Sequence, residues 1–103
     1  MRIVAVTACA NGIAQTYMAA EQLEQAARRL GHAIKVETQG AVGVENELTA
    51  GDIRGADAIL IASDVAIQRD GRFRRSRRVM QVPVQLAMRD PEGVIARLQP
   101  VPA

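Results

Sequence analysis

A chain of 103 residues, 49% hydrophobic and 23% charged, is long enough for one core and too short for two. Tyr17 and Phe73 are its only aromatic residues and its formal net charge is a modest +2, so it lacks a stacking platform for single-stranded nucleic acid, which is not an expected partner. One cysteine cannot close an internal disulfide, no signal peptide is visible, and no stretch approaches the roughly 20 apolar residues that span a bilayer. Direct membrane insertion is therefore not expected, and the cytoplasm is the expected compartment.

The short apolar run 3–6 lies in a segment, 2–7, that is apolar on both faces, as in a central strand covered by helices on both sides. A helical pattern follows over 12–30. Thr16, Ala20, Leu23, Ala27 and Leu30 form one face, with Glu21, Gln22, Gln25, Arg28 and Arg29 opposite. Glu24 and Arg28 have the favourable four-residue order, and Gly31 stands where a helix C-cap is expected. His32 reads as a surface residue at the helix end, since no second metal ligand sits at a useful spacing; no metal is expected.

Residues 33–37 alternate, with Ile34 and Val36 on one side and Lys35 and Glu37 on the other, which predicts a half-exposed edge strand. Strand, helix and strand joined this closely form a right-handed βαβ unit. Residues 39–49, carrying Gly40, Gly43 and Asn46, read as an irregular loop. Thr49 and Asp52 have capping-box spacing and open a short helix ending near Gly55.

The run 58–62 predicts a third parallel strand, with Ser63 and Asp64 at its carboxyl end. Two readings of Asp64 stand: orienting a partner, or capping the turn that follows. Arg72, Arg74, Arg75, Arg77 and Arg78 then form a basic cluster, read either as a solvated surface or as a docking site, for an acidic protein ahead of nucleic acid or anionic lipid. A fourth strand is predicted over 79–84, with Pro83 marking its end or an edge, and a last helix from Asp90 and Pro91 to about Leu98. The prediction is an α/β domain over 1–98, a Rossmann-like three-layer sandwich of four parallel strands in order 2-1-3-4 with helices on both faces. Residues 99–103 form a Pro-rich tail or the start of a linker.

The chemistry-bearing stretch is the strand-to-helix turn at residues 9–17. Asn11-Gly12 is a turn dipeptide, and the amides that open the following helix have no intrahelical acceptor. Such a turn holds an anion, and it favours a thiolate over a thiol. Cys9 is therefore a candidate nucleophile, and Ala10, Asn11, Gly12, Ile13, Ala14, Gln15 and Thr16 are candidate phosphate-holding residues. The alternative for a lone cysteine is a buried apolar residue, against which stands its place at the carboxyl end of the first strand.

Three enzyme chemistries suit such a thiol. A small cysteine phosphatase or arsenate reductase needs an arginine six residues after the nucleophile to clamp the oxyanion, and Gln15 stands there. A thiol redox enzyme wants a resolving cysteine, which this chain lacks. A phosphoryl relay remains: thiolate is a good leaving group, and a relay must hold phosphate without hydrolysing it.

On its motifs the chain resembles the fructose-type enzyme IIB domain of the bacterial phosphoenolpyruvate-dependent sugar phosphotransferase system. The matching residues are Val6-Thr7-Ala8-Cys9, Gly12-Ile13-Ala14, Thr16-Tyr17-Met18-Ala19-Ala20-Glu21, Lys35-Val36-Glu37-Thr38-Gln39-Gly40, Gly43, Asn46, Leu48-Thr49, Asp52-Ile53, Ala56-Asp57, Ala62, Asp64 and Arg72-Phe73. The resemblance implies that Cys9 takes a phosphoryl group from a phosphohistidine on the IIA component and passes it to fructose, or a related sugar, bound by the membrane component IIC. It also implies association with the membrane through IIC and no cofactor. The family usually has proline and threonine where this chain has Ala10 and Asn11, histidine where it has Gln15, and glycine-lysine after Phe73 where it runs on in arginines. These departures leave a rival reading, a non-catalytic regulatory or docking relative with an altered loop.

Overall fold

The structure is a computed structural model that describes residues 1–11, 13–74 and 79–98. The expected tail, 99–103, and Gly12, Arg75, Arg77 and Arg78 lie outside the described residues.

Five strands build one sheet: β1 (Arg2–Ala8), β2 (Ala33–Gly40), β3 (Gly43–Glu45), β4 (Ala58–Ser63) and β5 (Val79–Val82), in spatial order β3-β2-β1-β4-β5. The helices are α1 (Ala14–Arg29), α2 (Ala50–Arg54), α3 (Val84–Arg89) and α4 (Pro91–Ala96), with a 3₁₀ turn at Asp70–Phe73. The four expected strands take the expected order and run parallel. The sheet is nevertheless mixed rather than wholly parallel, because β3 adds an antiparallel strand outside β2. The physical reason is a hairpin: Gly40 pairs with Gly43 across a two-residue turn, and Gly43 takes φ +106°. Asn46, at φ 57°, ends β3 and donates its Nδ2 to the Val36 carbonyl at 3.1 Å. β2 is thus an interior strand, and residues 36–39 are all buried, so the half-exposed edge strand is corrected.

The helix layers are unequal. Ile3 and Ala5 on one sheet face pack with Ala19, Leu23, Ala26 and Ala27 of α1, Val84 and Ala87 of α3, and Val94 and Ile95 of α4. Alanines on α1 let it lie close to the strands, while each buried large aliphatic side chain contributes about 1.5–3 kcal/mol. Leu30, expected on this face, is exposed. It is the C-cap of α1, where the chain already turns away. The Gly31 N–H reaches the Arg28 carbonyl at 3.1 Å and the His32 N–H that of Ala27 at 2.8 Å, with Gly31 at φ +81°. His32 lies beside the amino terminus, whose nitrogen is 2.8 Å from its Nδ1. On the other face Val4, Val6, Ile59 and Ile61 are covered by Leu48, Phe73 and the short α2.

The expected fourth strand stops at Val82, and Pro83 serves as N-cap of α3, a helix absent from the sequence reading. The final helix begins as expected, with Pro91 at its start and Asp90 Oδ1 accepting from the Gly93 N–H at 3.1 Å.

The capping box of α2 is complete: Thr49 Oγ1 accepts from the Asp52 N–H at 3.0 Å and Asp52 Oδ2 from the Thr49 N–H at 2.8 Å. Lys35 Nζ also donates to Asp52 Oδ2 at 2.6 Å. Lys35 and then the Thr49 amide bring the Asp52 pKa down from 3.8 to about 2. A depressed carboxylate contributes stability above its unfolded pKa and loses it as pH falls through the folded one. Asp52 is therefore expected to titrate near pH 2 by side-chain carboxyl NMR, with the α2 cap failing only below the ordinary aspartate range. A midpoint close to 3.8 would contradict the Lys35 contact.

Candidate active site

The sheet register assembles the site. Ala8, the last residue of β1, pairs with Gln39 of β2 on one side and Ser63 of β4 on the other, so Cys9 leaves the middle of the carboxyl edge. The Thr7 hydroxyl donates to the Thr16 carbonyl at 2.9 Å inside the protein and ties the strand to the first turn of α1. That tether brings Thr16 Oγ1 within 3.0 Å of Cys9 Sγ as a donor. The thiol in turn donates to Asn11 Oδ1 at 3.2 Å, and the same oxygen accepts from the Ile13 N–H at 3.1 Å.

Cys9 is 6% exposed and packs into the core cluster beneath α1, yet the residues around it reach solvent. Ala10, Asn11, Ile13 and Ala14 are exposed, Gln15 is half-buried and Thr16 is buried. α1 starts from Ile13 with no side-chain cap and no acidic residue in its first turn. Its leading amides thus meet an anion without competition from a built-in carboxylate. Of the expected phosphate-holding residues, Thr16 and Asn11 touch the sulfur. Thr16 donates to the sulfur, whereas Asn11, as oriented, accepts the thiol proton.

Two expected docking residues have other partners. Asp64 Oδ1 accepts from the Val84 N–H at 3.2 Å, which caps α3 from a neighbouring strand. The helix it caps is distant in sequence and is not the turn that follows it. Arg72 points inward: its Nη1 and Nη2 lie 2.8 and 2.9 Å from the two oxygens of Glu37, which is fully buried. Within the described part of the cluster, Arg72 is thus engaged by a buried carboxylate and only partly exposed, while Arg74 is exposed.

The sequence reading missed what surrounds that pair. Glu37 also accepts from the Leu48 N–H at 2.8 Å and from Gln39 Nε2 at 2.8 Å. Burial pushes the Glu37 carboxyl up, but the hydrogen bonds from Arg72, Gln39 and Leu48 outweigh it and leave the pKa below its ordinary value. The available signal was the shared presence of Glu37, Gln39 and Arg72 among the motif residues. Their contact across the fold was not legible from spacing.

Among the described residues no group of three or more potential metal ligands comes together, and no helix is long and apolar enough to cross a membrane.

Comparison with known proteins gives this geometry a family. Residues 4–97 match the model of the phosphotransferase-system (PTS) lactose/cellobiose-specific IIB subunit. The chain is 42% identical over 98 residues to the PTS fructose-like EIIB component 2 of Escherichia coli K12, covering 95% of this chain and 92% of that protein. It is 46% identical over 96 residues to the PTS fructose-specific EIIABC component of Bacillus subtilis, covering 93% of this chain but 15% of that longer protein. Among solved structures, a domain of fruA from Bacillus subtilis superposes with a TM-score of 0.85 at 43% identity, over 94% of this chain and 91% of that domain. The family model carries the lactose/cellobiose description, while the full-length relatives carry fructose names. Matched across almost its whole length in sequence and in fold, the chain belongs to the fructose-type IIB family of the bacterial sugar phosphotransferase system, a family of phosphotransferases.

Proposed function

We propose that Cys9 is the phosphoryl carrier between a IIA protein and a sugar held by a membrane IIC component. The observation that carries this reading is the single thiol at the carboxyl edge of the sheet, with the Thr16 hydroxyl on its sulfur and the uncapped start of α1 behind it. In the first step Sγ attacks the phosphorus of a phosphohistidine, the S–P bond forms, the N–P bond breaks, and the imidazole leaves as the thiol proton passes to its freed nitrogen directly or through solvent. In the second a sugar hydroxyl oxygen attacks the phosphorus, the S–P bond breaks, the thiolate leaves and the hydroxyl proton passes to solvent or to the acceptor protein. The amides of residues 10–14 and the Thr16 hydroxyl hold the phosphoryl oxygens between the two steps, and Gln15 offers a neutral donor. Fusion of A, B and C in the Bacillus subtilis relative supports IIA and IIC as donor and acceptor, and the fructose names of the relatives support a fructose-like sugar. The carrier then works at the cytoplasmic face of the membrane through IIC.

One observation favours a non-transferring, regulatory reading: Asn11 occupies both the thiol proton and the Ile13 amide, which closes the turn on itself. Incubation with phosphoenolpyruvate, the general relay proteins and a fructose-type IIA, followed by intact mass and fragment mapping under non-denaturing conditions, separates the two. The relay requires one labile phosphoryl group on Cys9. A folded, reduced protein that takes none from several IIA partners would establish the regulatory reading instead.

A further inference from the structure

Glu37 is the only charged residue among the described ones that lies fully inside the protein, and the relay chemistry makes no use of it. Replacing a buried ion pair by apolar residues of similar volume is often neutral or stabilising, so net stability is a weak reason for one. What the group supplies here is direction. Gln39, beside Glu37 on β2, donates Nε2 to Glu37 and to the Gln68 carbonyl at 3.0 Å, while its Oε1 accepts from the Gln68 N–H at 2.7 Å. Both backbone groups of Gln68 are thus gripped by one carboxamide, as a neighbouring strand would grip them. Arg72 closes the arrangement, with Nε on the Arg69 carbonyl at 2.9 Å and Nη1 on the Leu48 carbonyl at 3.3 Å.

Position gives the grip its meaning. Gln39 pairs with Ala8, the residue before Cys9, so residues 68–72 are fastened to β2 at the carboxyl edge from which Cys9 leaves, on the sheet face opposite α1. We propose that Gln39, itself held by the Glu37–Arg72 pair, is a positioning residue that fixes segment 68–72 as a preformed rim for the protein that delivers the phosphoryl group to Cys9. The inference rests on the relay reading above. A rim ordered before encounter removes an ordering cost from binding and leaves the chemistry at sulfur alone.

Gln39→Met keeps the side-chain volume and removes both contacts to Gln68, and initial rates of transfer from a phosphorylated fructose-type IIA, with donor concentration varied, test it. KM for the donor is expected to rise about tenfold with kcat within about twofold, while iodoacetamide alkylates Cys9 at the wild-type rate. A purely structural role would lower the active fraction, hence apparent kcat, and leave KM in place. Arg72→Lys, which keeps the charge and loses the fork, is expected to move KM the same way and serves if Gln39→Met does not fold. Unchanged KM in a folded variant, a loss confined to kcat, or failure of both variants to fold would each overturn the inference. A wild-type protein that accepts no phosphoryl group would instead remove the relay reading on which it stands.

Discussion

Cys9→Ser is expected to accept phosphoryl groups about 10³-fold more slowly than the wild type, or slower still, while remaining folded. A serine hydroxyl is a weak nucleophile unless a base takes its proton, and neither Thr16, which donates to the sulfur, nor Asn11, a neutral acceptor, is such a base. Serine can keep both hydrogen bonds in the same small volume, so the packing under α1 has little reason to change. Transfer onward is impaired as well, because an alkoxide leaves phosphorus far less readily than a thiolate. The check is the initial rate of phosphate incorporation from phosphorylated IIA beside a thermal melt of each protein. Incorporation within tenfold of wild type would mean that the thiol is not the acceptor.

Arg72→Ala should lower unfolding free energy at pH 7 by about 3–5 kcal/mol, because it strands a buried carboxylate rather than merely deleting a contact. Against the 5–15 kcal/mol typical of a domain, that is a large share. The variant also loses the guanidinium lying 5.0 Å from the centroid of the Phe73 ring. The pH dependence carries a sign that separates this cause from simple loss of packing. In the wild type the Glu37 pKa lies below its ordinary 4.5, so its contribution is present above about that pH and fades as pH falls through the lower folded value. Without Arg72 burial is opposed only by Gln39 and Leu48, the folded pKa rises, and protonation relieves the strain. The deficit measured by urea unfolding is therefore expected to shrink between pH 7 and pH 5. A pH-independent deficit would count against the stranded charge, and a Glu37→Met, Arg72→Met double variant should recover most of the loss.

Much of the scaffold was legible because short-range signals agreed with tertiary demands. The apolar runs at 3–6 and 58–62 are interior strands, Gly31 ends α1, and the Thr49–Asp52 and Asp90–Pro91 signals start helices where the structure has them. The errors came where a local pattern was too short or was answered from far away. β3 has three residues, one of them Gly43, and no periodicity survives at that length. Val82-Pro83-Val84 continues an apolar run, yet Pro83 turns it into a helix start that Asp64 completes from twenty residues earlier. Glu37 alternates with Val36 as an exposed residue would, and Arg72, thirty-five positions away, leads the Gln39 and Leu48 donors that make its burial tolerable. At the site, the thiol and Thr16 were legible as parts of one turn. That Asn11 would hold the thiol proton depends on a side-chain orientation that spacing does not encode.

The sheet ends in strands of three residues on one side and four on the other. An outer strand offers its unpaired backbone groups to any second chain, and short edges limit how many of them an intruder can satisfy. A sheet flanked by β3 and β5 therefore gives adjoining copies little to zip onto. The proposed relay, loading from one partner and unloading to another, needs brief encounters, and blunt borders disfavour edge-to-edge polymerisation of crowded copies.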